Sequence, residues 1–154
     1  GGTVTPPPPP PAAVVSAVRV TANRTAQLDE QGTVALAAEA RTSAGAVVAG
    51  APLTWTSLDA GVALVSAAGN GSAVVTAVAP GTARVEVRSA TVAATADTAT
   101  VTVVAIPVAR VALADTLLPA ALAVGDTGTV AAQPLAASGA VLPGTNGRAV
   151  TYTS

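Results

Sequence analysis

Residues 81–89 read GTARVEVRS, and their side chains alternate between small apolar and charged. Ala83, Val85 and Val87 fall on one side of an extended chain, and the charged residues between them fall on the other side. A period of two is that of a β-strand with one buried and one solvated face. Residues 98–104 (TATVTVV) repeat the pattern with threonine in place of charge. These two segments therefore predict strands of one half-buried sheet.

Shorter alternating segments lie on either side of these two and are separated by glycine, asparagine and proline. The predicted strands cover residues 18–20, 33–40, 53–57, 62–66, 72–79, 81–89 and 98–104. No segment shows a helical period with caps. About seven short strands within about 90 residues predict an all-β fold, namely an immunoglobulin-like antiparallel β-sandwich with Greek-key connections.

Parts of the pattern return about 90 residues later, which exceeds the roughly 20–50-residue period of solenoid repeats and indicates a repeated domain. The matching pairs are residues 18–20 and 109–111, 33–34 and 129–130, 43–45 and 138–139, and 54–57 and 151–154. We therefore predict one complete domain at residues 14–105 and the N-terminal half of a second, truncated domain at residues 106–154. We expect this incomplete sandwich to be poorly packed, since it lacks the strands that would cover its apolar face.

The first 13 residues form a separate segment. Residues 6–11 are consecutive prolines, which favour polyproline II. We interpret residues 1–13 as a proline-rich linker that acts as a semi-rigid spacer. Because the sequence starts at Gly1 without methionine or an apolar leader, we expect any signal peptide, or a lipid anchor, to lie upstream.

The composition excludes several kinds of site. The chain has no cysteine and no histidine, and all seven of its basic residues are arginine. Disulfides, thiolate metal sites, histidine-dependent nucleophiles and lysine Schiff bases are therefore excluded. The arginines do not cluster and the net charge is −1, so neither nucleic acid nor an anionic membrane surface is an expected partner.

One long stretch has no charge. Residues 60–83 are uncharged and long enough to raise the question of a transmembrane segment. Turn signals at residues 69–72 and 80–81 interrupt the stretch, and its halves alternate as strands do. We therefore predict no transmembrane segment in this sequence.

The acidic residues are the remaining candidates for chemistry. Asp29 and Glu30 are adjacent, so they would point to opposite faces of a strand, and we interpret both as solvated turn residues. Calcium needs only oxygen ligands, and the carboxylates predicted to lie in loops or in the second copy are Asp29, Glu30, Asp59, Asp97, Asp115 and Asp126. They lack the spacing of a calcium loop, and a site assembled from separate loops stays an open alternative. We predict no catalytic, cofactor-binding or metal-binding residues.

Four other features have a structural and a functional interpretation. The aromatic residues of the sequence are Trp55 and Tyr152. Trp55 is expected to lie in the core and not to form a sugar-binding platform. Asn23 and Asn70 begin glycosylation-type sequons, but each is typical of a turn. The stripe of Arg84, Glu86 and Arg88 is expected to be a solvated face with charge pairing, and a docking surface is its alternative.

The segments described so far resemble bacterial immunoglobulin-like group 2 (BIG2) domains. That family has a tryptophan–serine pair on a central strand, a V-A-x-V-S step and an A-x-G-T-A turn into an alternating strand. The matching segments are residues 18–20, 31–36, 53–57 (LTWTS), 62–66 (VALVS), 78–83 (VAPGTA) and 100–103. The resemblance covers residues 14–104 fully and residues 107–154 in part, where Tyr152 replaces the tryptophan.

The resemblance implies an extracellular or cell-surface β-sandwich found in tandem in adhesins, surface-layer proteins and appendages of secreted enzymes. We therefore expect a non-catalytic module that acts as a spacer, stalk or adhesion unit, and not an enzyme. Its expected partners are neighbouring immunoglobulin-like modules of the same chain and an extracellular protein or glycan ligand. The alternative is an accessory ligand- or carbohydrate-binding module of a secreted polysaccharide-active enzyme.

Overall fold

The computed structural model describes residues 13–92, 95–114, 123–125, 131–143, 148 and 150–151. These residues form strands and turns without any helix, which confirms the all-β prediction. The strands are β1 (Ala17–Ala22), β2 (Thr25–Asp29), β3 (Thr33–Arg41), β4 (Leu53–Ser57), β5 (Ala63–Gly69), β6 (Ser72–Ala77), β7 (Gly81–Ser89), β8 (Ala96–Val104), β9 (Arg110–Ala114) and β10 (Ala131–Leu135). The chain divides into two compact units, Gly1–Val103 and Val104–Ser154.

The first unit is a two-sheet sandwich. One sheet has the strand order β1-β3-β6-β5, and the other has the order β2-β8-β7-β4. Leaving out β2, this is the strand arrangement of a constant-type immunoglobulin domain, with four strands in one sheet and three in the other. The predicted immunoglobulin-like antiparallel β-sandwich is therefore confirmed.

Alternation along the strands builds the core as the sequence predicts. On β7, Ala83, Val85 and Val87 are fully buried, and the residues between them face outward. Trp55 on β4 is only 8% exposed and lies in the core, as expected. The other buried members are mostly valine and alanine, namely Val18, Val20, Leu36, Ala38, Ala63, Ala73, Val75, Ala77, Ala83, Val85, Val87, Ala99, Val101 and Val103.

The first unit has eight strands, one more than predicted, and the additional strand is β2. Ala26 and Leu28 point inward from it and pack against the core. The chain reaches β2 by leaving the first sheet after β1 and joining the second sheet beside β8. Asn23 makes this crossing with a positive φ of 56°. β2 has only five residues, and its partner β8 lies some 70 positions away in the sequence. The alternation of apolar and polar residues is therefore too short here to predict a strand.

Two predictions about the acidic residues were wrong because of β2 and β8. Glu30 is 3% exposed rather than solvated, although it lies in the turn that connects β2 to β3 as predicted. Gln31 in the same turn has a φ of 65°. Asp97 lies within β8 and not in a loop, and Asp29 is the exposed last residue of β2.

The described part of the second unit contains an antiparallel strand pair. β9 and β10 pair in a register that places Arg110 opposite Leu135. Leu135, Ala136 and Leu142 are buried. Tyr152, Asp115, Asp126 and the prolines at residues 6–11 lie outside the described residues.

The turn after β3 in the first unit has a counterpart after β10 in the second. The Thr42 N–H donates to the Ala46 carbonyl at 2.8 Å, and the Ala136 N–H donates to the Ala140 carbonyl at 2.9 Å. The glycines of these turns, Gly45 and Gly139, have φ values of 84° and 87°. These segments, whose sequences echo one another, therefore adopt the same turn.

Candidate functional site

The described residues bring no group of three or more acidic side chains together as a metal site would require. Asp59 lies beside Arg84, with the Arg84 N–H donating to its carboxylate at 2.9 Å, and Asp97 lies beside Arg24. Asp29 ends β2 and is exposed. Asp29, Asp59 and Asp97, considered above as an alternative calcium site, therefore do not form one cluster in the part of the chain that the structure describes.

Asp97 binds residues on both sides of the segment in which the chain crosses from the first sheet to the second. Its Oδ2 accepts the Val20 N–H at 2.9 Å, and its Oδ1 accepts the Thr98 N–H at 2.8 Å. The Arg24 guanidinium donates to both oxygens at 2.6 Å. Val20 lies opposite Ala38, whose N–H donates to the Gly71 carbonyl on the other side of β3. Because backbone groups alternate along a strand, the Val20 N–H points away from β3, where it reaches Asp97 of β8.

The surroundings of Asp97 set its protonation. Partial burial raises the pKa of the carboxyl, but the hydrogen bonds from the Val20 and Thr98 N–H groups and the Arg24 guanidinium lower it more. The pKa of Asp97 is therefore held below its ordinary value of 3.8. Nothing local in the sequence indicated this pair, since its members are 73 positions apart.

The charged stripe of β7 is paired on its own face. Arg88 donates to both carboxylate oxygens of Glu86, and Arg84 lies 3.8 Å from the Asp59 carboxylate. The hydrogen bond and the charge of Glu86 raise the pKa of Arg88. These contacts form the charge pairing that was expected for Arg84, Glu86 and Arg88.

A cleft of about 590 Å³ lies beside β1, the edge strand of the first sheet. Arg19 and Arg41 line it together with hydroxyl side chains from Ser16, Thr21, Thr42 and Ser43. Arg41 is held by Glu39 at 2.8 Å and by the Gly45 carbonyl at 2.9 Å. This concave surface was not predicted, because its residues come from two separate segments and form no motif.

Both sequon asparagines serve turns, as predicted. The Asn23 side chain donates to the Ala35 carbonyl at 2.7 Å. Asn70 and Gly71 form the turn between β5 and β6. Gly71 has a φ of 80°, and a Cβ on it would lie 2.5 Å from the Ala38 carbonyl oxygen. Glycine is therefore required at this position of the hairpin.

The first sheet has two edge strands, β1 and β5, and β5 falls in the uncharged stretch. The Val62 carbonyl accepts the Val78 N–H at 2.8 Å, so the backbone groups of Val62 point towards β6. Because these groups alternate in direction along a strand, this contact shows which residues of β5 bond to β6. Leu64 and Ser66 therefore direct their N–H and C=O groups towards β6, opposite Thr76 and Val74. The residues between them direct the same groups away from the sheet.

The outward groups of β5 differ in whether they are already bonded. The Ala63 N–H donates to the Asp59 carbonyl, and its C=O accepts the Ser57 hydroxyl at 2.6 Å. Val65 and Ala67 have no such partner among the described residues. Each of these two residues thus offers one donor and one acceptor at an open edge. The uncharged sequence of residues 60–83 was the available signal for this edge.

The fold has counterparts among solved structures of a surface-layer protein. Domains 5 and 6 of the S-layer protein SbsC match with a TM-score of 0.52 and 18% identity, covering 83% of this chain and 65% of that structure. Domains 4–9 match with a TM-score of 0.51 and 18% identity, covering 84% and 21%. Domains 4 and 5 match with a TM-score of 0.50 and 18% identity, covering 59% and 46%.

The chain spans less than two thirds of each of these structures. At this identity the likeness shows a shared fold. No known family model matches the sequence. No curated protein matches it either. Among the described residues there is no helix long and apolar enough to cross a membrane.

Proposed function

We propose that this chain contains a non-catalytic, BIG2-like module of a bacterial cell-surface or secreted protein, and that the module acts as a spacer or adhesion unit. The observation that carries the proposal is the path of the chain through the first unit, which begins and ends at opposite ends of the sandwich. Modules with this property extend a protein when they follow one another. The S-layer fold likeness, the resemblance in residues 14–104 and the second copy of the β3 turn support the proposal.

The strand registers place the two ends of the path. β3 runs the length of the sandwich, from Thr33 at one end to Arg41 at the other. β1 begins at Ala17, opposite Arg41. The last residues of β8 lie opposite Gly81, which follows β6 at the Thr33 end, since Thr33 lies opposite Thr76. The chain therefore starts at the Arg41 end of the sandwich and leaves it at the Thr33 end.

The length gained by one module follows from strand geometry. β8 has nine residues, and a rise of about 3.3 Å per residue makes it roughly 30 Å long. Three hydrogen-bonded strand pairings join the four strands of each sheet. A spacer built this way resists extension, because β1 and β8, which carry its two ends, are hydrogen-bonded to β3 and to β7 respectively.

Distance measurement between spin labels tests this path. The chain has no cysteine, so Ser16→Cys and Val104→Cys place labels only before β1 and at the last residue of β8. We expect a separation of roughly 30 Å. A Ser16→Cys, Ser43→Cys pair is the matched control, with both labels at the Arg41 end and a much shorter distance. Similar distances in the two pairs would place both termini at one end and reject the spacer.

Ligand arrays separate a spacer from an accessory carbohydrate-binding module. The buried indole of Trp55 does not form a sugar platform in this fold. We expect the 154-residue chain to bind no glycan selectively on an array, and selective binding of a matrix protein would assign the adhesion role within the same proposal. Selective glycan binding that is lost in Arg19→Ala or Arg41→Ala would instead assign the module to ligand binding through the cleft beside β1.

A further inference from the structure

We propose that the β5 edge is a homotypic interface, at which two copies of this chain pair β5 with β5 in antiparallel orientation. Pairing joins the first sheets of two sandwiches into one continuous sheet. The occupant of the edge is a second copy, because the edge is complementary to itself in hydrogen bonding and carries no charge that would repel a second copy. The inference goes beyond the proposed spacer function, and a module that does not self-pair is still a spacer.

The hydrogen-bonding argument fixes the register. Val65 and Ala67 carry the open donors and acceptors, and Ser66 lies between them with its backbone groups bonded towards β6. A two-fold axis at Ser66 places Val65 of one copy opposite Ala67 of the second copy. Each of these two pairs then exchanges two backbone hydrogen bonds, as residues do in an antiparallel ladder. A register centred on Val65 would instead place Ala67 opposite Ala63, whose groups are already bonded. A register centred on Ala67 would place Val65 opposite Gly69, beyond the register shift.

The charge argument concerns what is missing from β5. Natural edge strands are usually protected by charged residues, proline, bulges or a covering segment. Residues 63–69 contain neither charge nor proline, and the register shift between Ala67 and Gly69 comes only at the end of the strand. Leu64 is 53% exposed and lies opposite Ala68 of the second copy in this register. Two β5 edges therefore meet without repulsion.

The other three edges of the sandwich differ from β5. On β1 the Val20 N–H is occupied by Asp97, and Arg19 is exposed on the same strand. β2 is five residues long and ends at the charged Asp29. β4 is also five residues long, and its exposed Thr54 lies opposite Arg88 of the charged stripe.

Disulfide trapping in the 154-residue chain tests the register. Residues that face each other without mutual hydrogen bonds have Cα atoms about 4.5 Å apart, which a disulfide can span. The two-fold axis places residue 66 opposite itself in such a pair. Ser66→Cys is therefore expected to oxidise to a covalent dimer at least about tenfold faster than a thiol brought together only by collision, because pairing raises the effective concentration.

Thr54→Cys is the matched control, since it occupies the equivalent position on the β4 edge. Dimers that form no faster through residue 66 than through residue 54 would overturn the proposal. Faster trapping through residue 54 would place the contact on β4, and would overturn it as well. Unchanged fluorescence of Trp55 in both variants shows that the sandwich is folded.

Charge exchange at the same position gives an independent readout. Because residue 66 meets its own copy, Ser66→Lys and Ser66→Glu should each sediment as a monomer at concentrations where the unaltered chain associates. An equal mixture of the two should associate again, since opposite charges then face each other across the axis. Association of either variant alone to the same extent as the unaltered chain would contradict pairing at β5.

Discussion

At the scale of single residues, Asp97 decides how the chain crosses between the sheets. Its carboxylate is 13% exposed and accepts a backbone donor from β1, whereas the side chain of its ion-pair partner Arg24 is 60% exposed. Screening makes an exposed ion pair worth about 0–1 kcal/mol. A buried N–H that loses its acceptor costs about 1–3 kcal/mol. The hydrogen bond to Val20 therefore contributes more than the charge of Arg24.

We expect Asp97→Ala to lower the free energy of unfolding by about 1–3 kcal/mol and Arg24→Ala by about 1 kcal/mol or less. The pKa of Asp97 is depressed in the folded state, so its stabilisation is present above the unfolded pKa of about 3.9. It is lost as the pH falls through the folded pKa. Urea titrations from pH 7 down to pH 2 measure both effects. Equal losses in the two variants, or an unchanged acid limb in Asp97→Ala, would contradict this ranking.

Trp55 supplies the only large ring of the core in the first unit. Removing it leaves a cavity among valine and alanine side chains that are too short to fill the space. We expect Trp55→Ala to lower the free energy of unfolding by about 3–5 kcal/mol, as measured by far-ultraviolet circular dichroism in denaturant. The indole N–H has no hydrogen-bond partner among the described residues. Trp55→Phe should therefore lose less than half as much, and a loss below about 1 kcal/mol in Trp55→Ala would place the ring outside the core.

At the scale of elements, the β5–β6 hairpin depends on Gly71. Its positive φ disfavours any other residue by about 1–2 kcal/mol, and an added Cβ would also press on the Ala38 carbonyl of β3. Gly45 has a similar φ of 84° but open space around it. Gly71→Ala should therefore destabilise the chain more than Gly45→Ala in the same thermal or denaturant assay. Equal losses would show that β3 moves away without cost.

Local alternation predicted the buried face of β3, β7 and β8 but not the neighbours of these strands in the sheets. The pattern of residues 81–89 was sufficient to predict which side chains of β7 are buried, because that depends only on a period of two. The pairing of β2 with β8, the burial of Glu30 and the contact of Asp97 with β1 depend on segments far apart in the sequence. The outward direction of the backbone groups of Val65 and Ala67 likewise depends on the pairing of β5 with β6, which includes the Val62–Val78 hydrogen bond.

At the scale of the whole molecule, the first unit closes its own core. Every buried member of its main cluster lies between Val18 and Val103, and the eight strands of its two sheets lie within residues 17–104. Removal of residues 106–154 should therefore change the free energy of unfolding of this sandwich by no more than about 0.5 kcal/mol.

Selective excitation of Trp55 in urea titrations of the 154-residue chain and of the shortened chain measures this change. Since the same surface is exposed when the sandwich unfolds, the slope of the free energy against urea should also be equal in the two titrations. A loss of several kcal/mol on shortening would mean that the sandwich needs residues 106–154 to complete it. That result would replace the picture of self-sufficient modules in series with one of a single cooperative pair.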